Sequence, residues 1–363
     1  MENFLRFNKS DLFSYAVRYM EKLGIPENDA KIVADVLIEA DLRGVDSHGL
    51  IRIYSYYGLR LEKKYMNPFT RYKILKETDT TVLYDGGNGP GQVVSYDAMT
   101  RCIEKAKKSN LAIAVVNNSN HYGIAAYYSM MALKHDMIGI SLTNSQPLAA
   151  PTYGRTAVIG TNPISIAAPS YNEYPFVLDM ATSVVPIGRI KVYEEKGEKI
   201  PLGWGIDDSG NVTDDPKKVQ SGGPGALMPL GGIDIMRGYK GYGLAIMVEI
   251  LCAALSGASH LTNVGFPHEP KVSDVSHFFM AINIEAFRPA VDFKKQMDDM
   301  IKLLKNSPKA AGHNRIFVAG EKEFEIAKYN EKNGIPILKN VAEELKKNGE
   351  RIGVPFTPIP VNK

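Results

Sequence analysis

The most informative part of this sequence is the stretch Asp41-Leu42-Arg43-Gly44-Val45-Asp46-Ser47-His48-Gly49-Leu50-Ile51-Arg52. It follows an amphipathic segment, passes through Gly44, and sets a histidine and an arginine four residues apart. If a helix begins near Ser47, His48 and Arg52 share one of its faces. Both side chains then lie at the positive end of that helix, where a carboxylate is stabilised. The stretch therefore predicts half of a site that holds an anion and moves a proton on it.

A capped helix start is a simpler interpretation of the same residues. Ser47 or Asp46 would be the N-cap, and Arg52 would pair with an acid on the surface. This interpretation explains Ser47 well and the pair of His48 and Gly49 poorly. The stretch by itself leaves both interpretations open.

Toward the N-terminus, apolar residues recur at helical spacing. The first predicted helix follows Ser10 and stops at Gly24 and Pro26, and the second runs from residue 27 to 43. A third helix is expected from about residue 47 to 61. Its buried stripe consists of Leu50, Ile53, Tyr54 and Tyr57. Residues 1–72 therefore predict an N-terminal helical unit that carries part of the site.

Toward the C-terminus, the pattern changes to short β-rich runs that alternate with helices. The predicted strands are 81–84, 112–116, 138–142, 164–167, 176–178 and 279–284, and the predicted helices are 92–108, 124–134, 241–256, 292–305 and 342–347. This alternation predicts an α/β core over residues 73–320. Residues 196–232 are rich in Gly, Pro and Asp and predict a long ordered loop. Residues 321–363 predict a helical segment that packs back on the body.

Composition excludes several classes of protein. The chain has 363 residues, 44% of them hydrophobic and 23% charged, and a net charge of only +3, as expected of an ordinary globular enzyme. It has no polybasic block, so we expect neither nucleic acid nor a membrane surface as partner. The two cysteines, Cys102 and Cys252, lie in apolar helical patterns and predict buried, reduced thiols. Without a signal-like N-terminus, we expect a cytoplasmic protein.

A second candidate constellation is Asn117-Asn118-Ser119-Asn120-His121-Tyr122-Gly123. It lies between an apolar strand and a helix, and ligands of α/β proteins bind at the carboxyl ends of strands. A histidine in such a turn can act as acid or base when neighbouring groups fix its tautomer. A turn that merely exposes His121 is the alternative.

Glycine-rich and polar loops complete the set of candidates. The run Arg237-Gly238-Tyr239-Lys240-Gly241-Tyr242-Gly243 precedes an apolar helix and predicts a phosphate cradle or, alternatively, tight helix packing. Neither it nor Gly86-Gly87-Asn88-Gly89-Pro90-Gly91 fits the GxGxxG pattern. Polar residues also follow three strands, at 143–147, 160–163 and 179–183, and several such loops together indicate a ligand cleft. No spacing supports a metal site.

Five motifs in order along nearly the whole chain resemble the malate/L-lactate dehydrogenase family, which is distinct from the Rossmann-type enzymes. They are Asp46-Ser47-His48-Gly49 with Arg52, Ser119-Asn120-His121-Tyr122-Gly123, Gly160-Thr161-Asn162-Pro163, Asp179-Met180-Ala181-Thr182 and Gly238-Tyr239-Lys240-Gly241-Tyr242-Gly243. Sulfolactate dehydrogenase, ureidoglycolate dehydrogenase, 2,3-diketogulonate reductase and an imine reductase are relatives in this family. The resemblance implies a homodimer whose α/β core has a mixed, non-Rossmann sheet and binds a nicotinamide cofactor. It also explains why a GxGxxG motif is missing.

The resemblance also implies roles for individual residues. Ser47, His48, Arg52 and His121 would line the substrate and nicotinamide pocket. The residues expected to contact the cofactor are Ser145, Asp179, Met180, Ala181 and Lys240, with Gly320 and Glu321 from a looser motif. Arg189 stands where many relatives have a lysine.

The expected function is reversible hydride transfer between NAD, or NADP, and a small 2-oxo acid, with malate/oxaloacetate or lactate/pyruvate as the substrate pair. Arg52 suits the carboxylate, and a histidine suits the proton, with His121 preferred and His48 acting on the carbonyl. Reduction of a cyclic imine carboxylate, or oxidation of sulfolactate or ureidoglycolate, is the alternative. A metal-dependent hydrolase using both histidines and a non-catalytic binding protein are rivals of other classes. Pocket shape decides the substrate, so the sequence leaves it open.

Overall fold

The computed structural model describes residues 3–219 and 223–361. Its strands are β1 (Phe4–Phe7), β2 (Lys73–Glu77), β3 (Thr81–Asp85), β4 (Leu111–Ser119), β5 (Met137–Thr143), β6 (Ile164–Ala168), β7 (Phe176–Met180), β8 (Gly205–Ile206), β9 (Val212–Thr213), β10 (Ala226–Leu227), β11 (Val275–Asn283) and β12 (Ile335–Leu338). Its α-helices are α1 (Lys9–Lys22), α2 (Glu27–Leu42), α3 (Leu59–Glu62), α4 (Gly91–Ser109), α5 (Ala125–Met131), α6 (Ile187–Lys196), α7 (Tyr239–Glu249), α8 (Ala290–Asn306), α9 (Glu321–Asn333) and α10 (Lys339–Arg351).

The two ends of the chain share one hydrophobic core. Helices α1 and α2 pack against each other, as their apolar spacing predicts, and their buried residues continue into those of β12 and α10. Strands β1 and β12 pair antiparallel, with Phe4 opposite Leu338. The buried Tyr15 hydroxyl donates to the carbonyl of Leu345 on α10 at 2.7 Å. Strands β1 and β12 were not predicted from the sequence, because short strands give weak periodic signals.

The expected helix from residue 47 to 61 is present only in its second part, because the chain is helical from residue 52 to 62. Asp46–His48 is a single 3-10 turn, and the helix that follows is π-helical over Ile53–Gly58 and α-helical over Leu59–Glu62. The backbone N–H of Leu50 donates to the carboxylate of Asp41 on α2 at 2.8 Å, which ties the chain to α2. At Gly49 a Cβ would lie only 1.9 Å from the same carboxylate, so only glycine allows this approach. This tether prevents a regular helix from starting at residue 47.

The central sheet has seven strands in the order β2-β3-β4-β11-β5-β6-β7. Only β3 and β4 are parallel neighbours, and every other pair is antiparallel. This confirms the predicted α/β fold with a mixed sheet. Because β11 is inserted antiparallel between β4 and β5, those two strands run in the same direction as β3 and β7. Four strands therefore end at one edge of the sheet, where β6 and β11 begin.

Helices cover both faces of this sheet. On one face, α4 and α5 pack on β4 and β5 around a core that includes Cys102 and Phe279. On the other face, Val248 and Cys252, from α7 and the π-helical segment Ile250–Ala254, pack on strand residues that include Phe278. Both cysteines are buried free thiols, as predicted.

The expected loop at residues 196–232 contains more structure than the sequence suggests. Strands β8, β9 and β10 form a small antiparallel sheet, and Trp204 and Leu227 help to form its own apolar cluster with Ile190 of α6. Runs of two residues are too short to show strand periodicity, which is why the sequence predicts only a loop. Residues 220–222 of this region lie outside the described chain. Among the described residues, no helix has the length and apolarity needed to cross a membrane.

Candidate active site

The candidate residues gather at the edge where β3, β4, β5 and β7 end. His121 follows β4, Ser145 follows β5, and Asp179 is the penultimate residue of β7. The turn that carries His48 reaches the same edge from α2. The expectation that the polar loops at strand ends form one cleft is therefore consistent with this sheet topology.

His48 and His121 lie face to face, although they are far apart in the sequence. Their ring centroids are 5.5 Å apart, and the ring planes differ by 22°. The Ser47 hydroxyl lies 2.9 Å from Nδ1 of His48. Tyr56 also packs on His121, with ring centroids 5.2 Å apart, and its hydroxyl accepts from the His121 backbone N–H at 3.2 Å. The structure thus brings together two motifs that the sequence treats separately.

The position of Arg52 depends on the turn and not on a helix face. Its Nε donates to the carbonyl of Ser47 at 2.8 Å, which folds the side chain back over the turn. Neither terminal nitrogen of Arg52 is hydrogen-bonded to a described residue. The guanidinium therefore keeps the planar pair of donors that binds a carboxylate through two oxygens.

Neutral imidazoles are favoured at both histidines. Burial lowers the pKa of His48 to about 4, and the neighbouring Arg52 charge acts in the same direction. Burial also lowers the pKa of His121 well below its usual range, as do the charges of His48 and Arg52. A pair of stacked histidines beside an arginine holds one added proton at most, because a second charge would meet two cations.

The tautomer of His121 is determined by a backbone donor. The N–H of Gly123 donates to Nδ1 of His121 at 3.2 Å, and a backbone nitrogen cannot accept. The hydroxyl of Tyr57 lies 2.7 Å from the same Nδ1. In the neutral ring the hydrogen therefore resides on Nε2, which leaves Nε2 as the atom that can serve a ligand.

A second group of loops forms a polar wall beside these histidines. The Ser145 hydroxyl accepts from the N–H of Thr161 at 3.0 Å, and the Ser145 N–H donates to the Asn162 side chain at 3.2 Å. The N–H of Thr182 donates to the carbonyl of Thr161 at 2.8 Å, and the carbonyl of Thr182 accepts from Leu230 at 2.8 Å. These bonds connect the ends of β5 and β7 through the loop that precedes β6.

The glycine-rich motif closes against the same wall. At Gly241 a Cβ would lie 2.2 Å from the carbonyl of Leu230, so this glycine permits close packing. At Gly243 nothing lies within 4 Å, and Lys240 is exposed. The two interpretations of the motif therefore apply to different residues: Gly241 packs, while Lys240 and Gly243 are open to a ligand.

Asp179 joins the two groups of residues. Its carboxylate accepts from the N–H of Ala126 at the start of α5, at 2.8 Å, and α5 begins only four residues after His121. Met180 and Ala181 continue from Asp179 toward Thr182. The side chains expected at the cofactor and those expected at the substrate thus border one another.

The looser C-terminal motif lies beside β7. The carbonyl of Ala319 accepts from Val177 at 3.1 Å, and Gly320 packs directly on Val177. The Glu321 carboxylate is buried and already paired, with Lys305 at 2.7 Å and Arg315 at 2.8 Å. Arg189 lies on α6, where its guanidinium is 5.5 Å from the ring of Tyr193.

Several groups that support the site were not predicted from the sequence. Tyr57 was expected only in a buried stripe, and it is buried, but its hydroxyl also reaches His121. The run of glycines at 86–91 had no predicted role, yet a Cβ at its last member would lie 2.1 Å from the carbonyl of Asn120. This glycine lets α4 begin against the His121 loop. Asp41 had no predicted role, because nothing in the neighbouring sequence shows that its carboxylate is buried and accepts from the N–H of Leu50.

Comparison with known proteins identifies the family. The sequence profile described as malate/L-lactate dehydrogenase matches residues 7–346. The chain belongs to the malate/L-lactate dehydrogenase family. It is 51% identical over 354 residues to a malate dehydrogenase from Pyrococcus abyssi, covering 97% of this chain and 96% of that protein. It is 40% identical over 336 residues to an L-sulfolactate dehydrogenase from Methanocaldococcus jannaschii, covering 92% and 94% of the two chains.

A solved structure agrees with this assignment. The malate dehydrogenase of Pyrococcus horikoshii OT3 superimposes with a TM-score of 0.90 at 45% identity, over 97% of both chains. The chain is thus a 2-hydroxy acid dehydrogenase, and such enzymes use a nicotinamide cofactor. The polar wall fits such a group, since hydroxyls, a carboxylate and a lysine beside open glycine backbone suit sugar hydroxyls and phosphates. Within the described ranges, no group of three or more His, Cys, Asp or Glu side chains resembles a metal site.

Proposed function

We propose that this enzyme interconverts malate and oxaloacetate, with the pair lactate and pyruvate as the nearest alternative. The observation that carries this proposal is the pair of stacked histidines, His48 and His121, beside an arginine whose terminal nitrogens bond to none of the described residues. The 51% identity to a malate dehydrogenase over nearly the whole chain supports the choice of substrate. The nicotinamide, when bound, supplies or accepts the hydride.

In this proposal the protein binds the acid and handles its proton. Arg52 holds the substrate carboxylate through its two terminal nitrogens. His121 exchanges a proton with the substrate oxygen through Nε2: as an imidazolium it donates the Nε2 hydrogen and keeps the hydrogen on Nδ1, which the Tyr57 oxygen accepts. His48, positioned by Ser47, polarises the carbonyl. Oxidation is the reverse step: the neutral ring, with its hydrogen moved to Nδ1, accepts the hydroxyl proton at Nε2, so oxidation is favoured as the pH rises.

The cofactor would lie along the polar wall. We assign its contacts to Ser145, Asp179, Met180, Ala181 and Lys240, and to the backbone at Gly320 and Glu321, because the Glu321 carboxylate is paired internally. NAD is the proposed cofactor, and NADP is the alternative. Lys240 is exposed and lies three residues before the open Gly243, so Lys240→Ala should weaken cofactor binding more than substrate binding. Fluorescence titration gives the Kd for NADH and the Kd for NADPH, both for the wild-type enzyme and for Lys240→Ala.

Assay of a substrate panel tests the function. Initial rates of NADH and NADPH oxidation would be measured with oxaloacetate, pyruvate, sulfopyruvate and piperideine-2-carboxylate. We expect the highest kcat/KM with oxaloacetate. A preference for sulfopyruvate or the cyclic imine would change the substrate, whereas no turnover with any 2-oxo acid would overturn the proposal.

A homodimer in the cytoplasm is part of the proposal. An apolar stripe along α7 and the following π-helical segment faces outward, with Tyr239, Met247, Ile250 and Leu255 exposed by 44%, 38%, 56% and 57%. A second copy of the chain would cover such a stripe. Light scattering after gel filtration should give twice the 40.0 kDa mass of the chain, and Ile250→Glu should shift it toward the monomer.

We also propose three structural units, namely residues 1–72, 73–320 and 321–363. The first carries His48 and Arg52, the second carries His121 and the cofactor wall, and the third packs on the first through the core that includes α1 and α10. Limited proteolysis tests this division, since the first cuts should fall near residues 72 and 320.

A further inference from the structure

Glu249, the last residue of α7, is a buried carboxylate that has no part in the proposed chemistry. Its Oε1 accepts from the side-chain nitrogen of Asn162 at 3.0 Å. Its Oε2 accepts from the side-chain nitrogen of Asn144 and from the backbone N–H of Leu261, both at 3.4 Å. These three donors come from the segment after β5, the segment before β6 and the loop after α7. The carboxylate therefore joins three segments that are distant in the sequence.

Asn162 connects this carboxylate to the polar wall. Its side-chain nitrogen donates to Glu249 and to the carbonyl of Ala245, both at 3.0 Å, and so uses both of its hydrogens. Its side-chain oxygen accepts from the N–H of Ser145 at 3.2 Å. The backbone carbonyl of Asn162 accepts from the Thr182 hydroxyl at 3.2 Å. One asparagine thus bonds the ends of β5 and β7 to α7.

The backbone of Asn162 has an uncommon conformation that its neighbours hold in place. Its φ is +34°, a positive value that asparagine and aspartate adopt more readily than most other residues. Such a conformation persists only where the surrounding contacts determine it. A Cβ at Gly160 would lie 2.3 Å from the side-chain oxygen of Asn162, so the loop closes tightly on this side chain. The asparagine is therefore packed in one orientation, with its nitrogen toward α7.

The opposite end of α7 carries residues that we assign to the cofactor. Lys240 and Gly243 are exposed, whereas Gly241, Ala245 and Glu249 are buried. The buried residues recur every four positions and share one face of the helix. Nine residues separate Lys240 from Glu249, which corresponds to about 14 Å along the axis. Glu249 can therefore act on a ligand at Lys240 only through the position of the helix.

We propose that Glu249 is a positioning residue that fixes α7 against the polar wall, so that Lys240 and Ser145 are correctly spaced for a bound nicotinamide cofactor. The bonds from the two asparagines prevent α7 from sliding or turning relative to the ends of β5 and β7. Loss of these bonds weakens cofactor binding without removing any group that touches the cofactor. The role of Glu249 rests on the assignment of the polar wall to the cofactor, which is part of the proposed function.

Only a group that accepts hydrogen bonds at both ends suits this position. Glutamine has nearly the same shape as Glu249, but its side-chain nitrogen is a donor. Turned one way, this nitrogen would face the side-chain nitrogen of Asn162. Turned the other way, it would face the N–H groups of Asn144 and Leu261. Either orientation leaves buried donors unpaired, which is costly, so Glu249→Gln tests the bonds with almost no change in volume.

Fluorescence titration of Glu249→Gln with NADH and NADPH is the first test. We expect the Kd for the preferred cofactor to rise about tenfold or more. At saturating cofactor, kcat and the KM for oxaloacetate should stay near wild-type, because His48, Arg52 and His121 lie outside this set of hydrogen bonds. An unchanged Kd would overturn the role of Glu249.

Exchanging the two side chains should restore binding. Asn162→Asp alone places a second carboxylate against Glu249 and should also raise the Kd. In the double variant with Glu249→Gln, the glutamine nitrogen donates to the aspartate, the N–H of Ser145 keeps its acceptor, and only the bond to the Ala245 carbonyl is lost. Aspartate also tolerates the positive φ at this position. The double variant should therefore bind the cofactor more tightly than either single variant.

A double-mutant cycle measures this coupling. If the effect of the double variant on the Kd equals the product of the two single effects, the two side chains are not coupled and the inference is refuted. If Glu249→Gln does not fold, the comparison of Asn162→Asp with the double variant still decides.

Asp298→Asn is the matched control for a general loss of stability. Asp298 is another buried carboxylate, and it accepts from the backbone N–H groups of residues 171–173 at 3.0, 2.9 and 3.2 Å. It holds the turn before β7, at the opposite end of that strand from the polar wall. The variant should lower the midpoint of thermal unfolding, as Glu249→Gln does, but leave the Kd unchanged. An equal rise in Kd would mean that lost stability, and not the position of α7, weakens binding.

Two outcomes separate the role of Glu249 from the proposed function. If the Kd responds to the variants as described but no 2-oxo acid is reduced, Glu249 positions the cofactor site and the proposed function fails. If the wild-type enzyme reduces oxaloacetate but the Glu249 and Asn162 variants bind the cofactor like the wild type, the function stands and the positioning role is refuted.

Discussion

His48 and His121 form a stacked pair, with ring centroids 5.5 Å apart and planes inclined by 22°. Seventy-odd residues separate them in the sequence, and they reach this contact from a turn after α2 and from the end of β4. Each ring lowers the tendency of the other to carry a charge, because two imidazoliums at this distance repel. The pair therefore holds one reactive proton, and its location decides which histidine is the acid.

Replacing His121 should identify the proton carrier. We expect His121→Asn to reduce kcat by about a hundredfold or more, because the substrate oxygen loses its proton partner. NADH should still bind, as fluorescence titration would show. His135→Asn, at an exposed position, is the control and should retain full turnover. Near-normal turnover in both His121→Asn and His48→Asn would contradict the mechanism.

Exchanging Arg52 for lysine should separate charge from geometry. Arg52→Lys keeps the positive charge but loses the bond from Nε to the Ser47 carbonyl and the planar pair of donors. We expect KM for the 2-oxo acid to rise about tenfold or more, with a smaller change in kcat and no change in the Kd for NADH. Steady-state kinetics measure all three quantities. An unchanged KM would remove Arg52 from the carboxylate site.

Adding a methyl group at Gly49 should distort the turn that carries His48. The new Cβ would overlap the Asp41 carboxylate, so Gly49→Ala should destabilise the protein by about 1–3 kcal/mol and depress kcat. The matched control is Gly188→Ala in α6, where nothing lies within 4 Å, and it should stabilise by about 0.5–1 kcal/mol. Thermal unfolding compares the two. Equal effects would mean that Gly49 has no special packing role.

Acid should destabilise the folded state through its buried histidines. His277 is fully buried between Thr143 and Ser119, and burial lowers its pKa to about 3. Between pH 6.5, near the pKa of an unfolded histidine, and pH 3, the unfolded chain binds a proton that the folded chain does not. As the pH is lowered through this range, the contribution of His277 to the free energy of unfolding should therefore decrease by up to about 1.4 kcal/mol per pH unit.

Urea unfolding at several pH values between 7 and 5 measures this slope. His277→Gln should lower stability overall but flatten the slope by about one proton. His313→Gln, at an exposed position, should leave the slope unchanged. A wild-type slope of zero would show that the folded protein accepts the proton at His277 without penalty.

Local sequence was sufficient for much of the fold. Apolar periodicity predicted the first two helices, the strands β3 to β7 and β11, and the buried cysteines. Such a pattern shows which face of a helix or strand is buried, and it depends only on residues that are close in the sequence. The motifs around His48, His121, Ser145, Asp179 and Lys240 could also be read from sequence. Their order along the chain indicated the family that comparison with known proteins then identified.

Only the tertiary structure decided how these parts act together. The insertion of β11 between β4 and β5, from more than a hundred residues away, aligns four strand ends at one edge. The Asp41 carboxylate, and not a helix, shapes the turn that carries His48. The contact of the Tyr57 hydroxyl with Nδ1 of His121 likewise joins distant segments. The sequence by itself determines which side chains are present and their local periodicity. Long-range packing determines which ring nitrogen of His121 faces the substrate, and the proposed proton transfer takes place at that nitrogen.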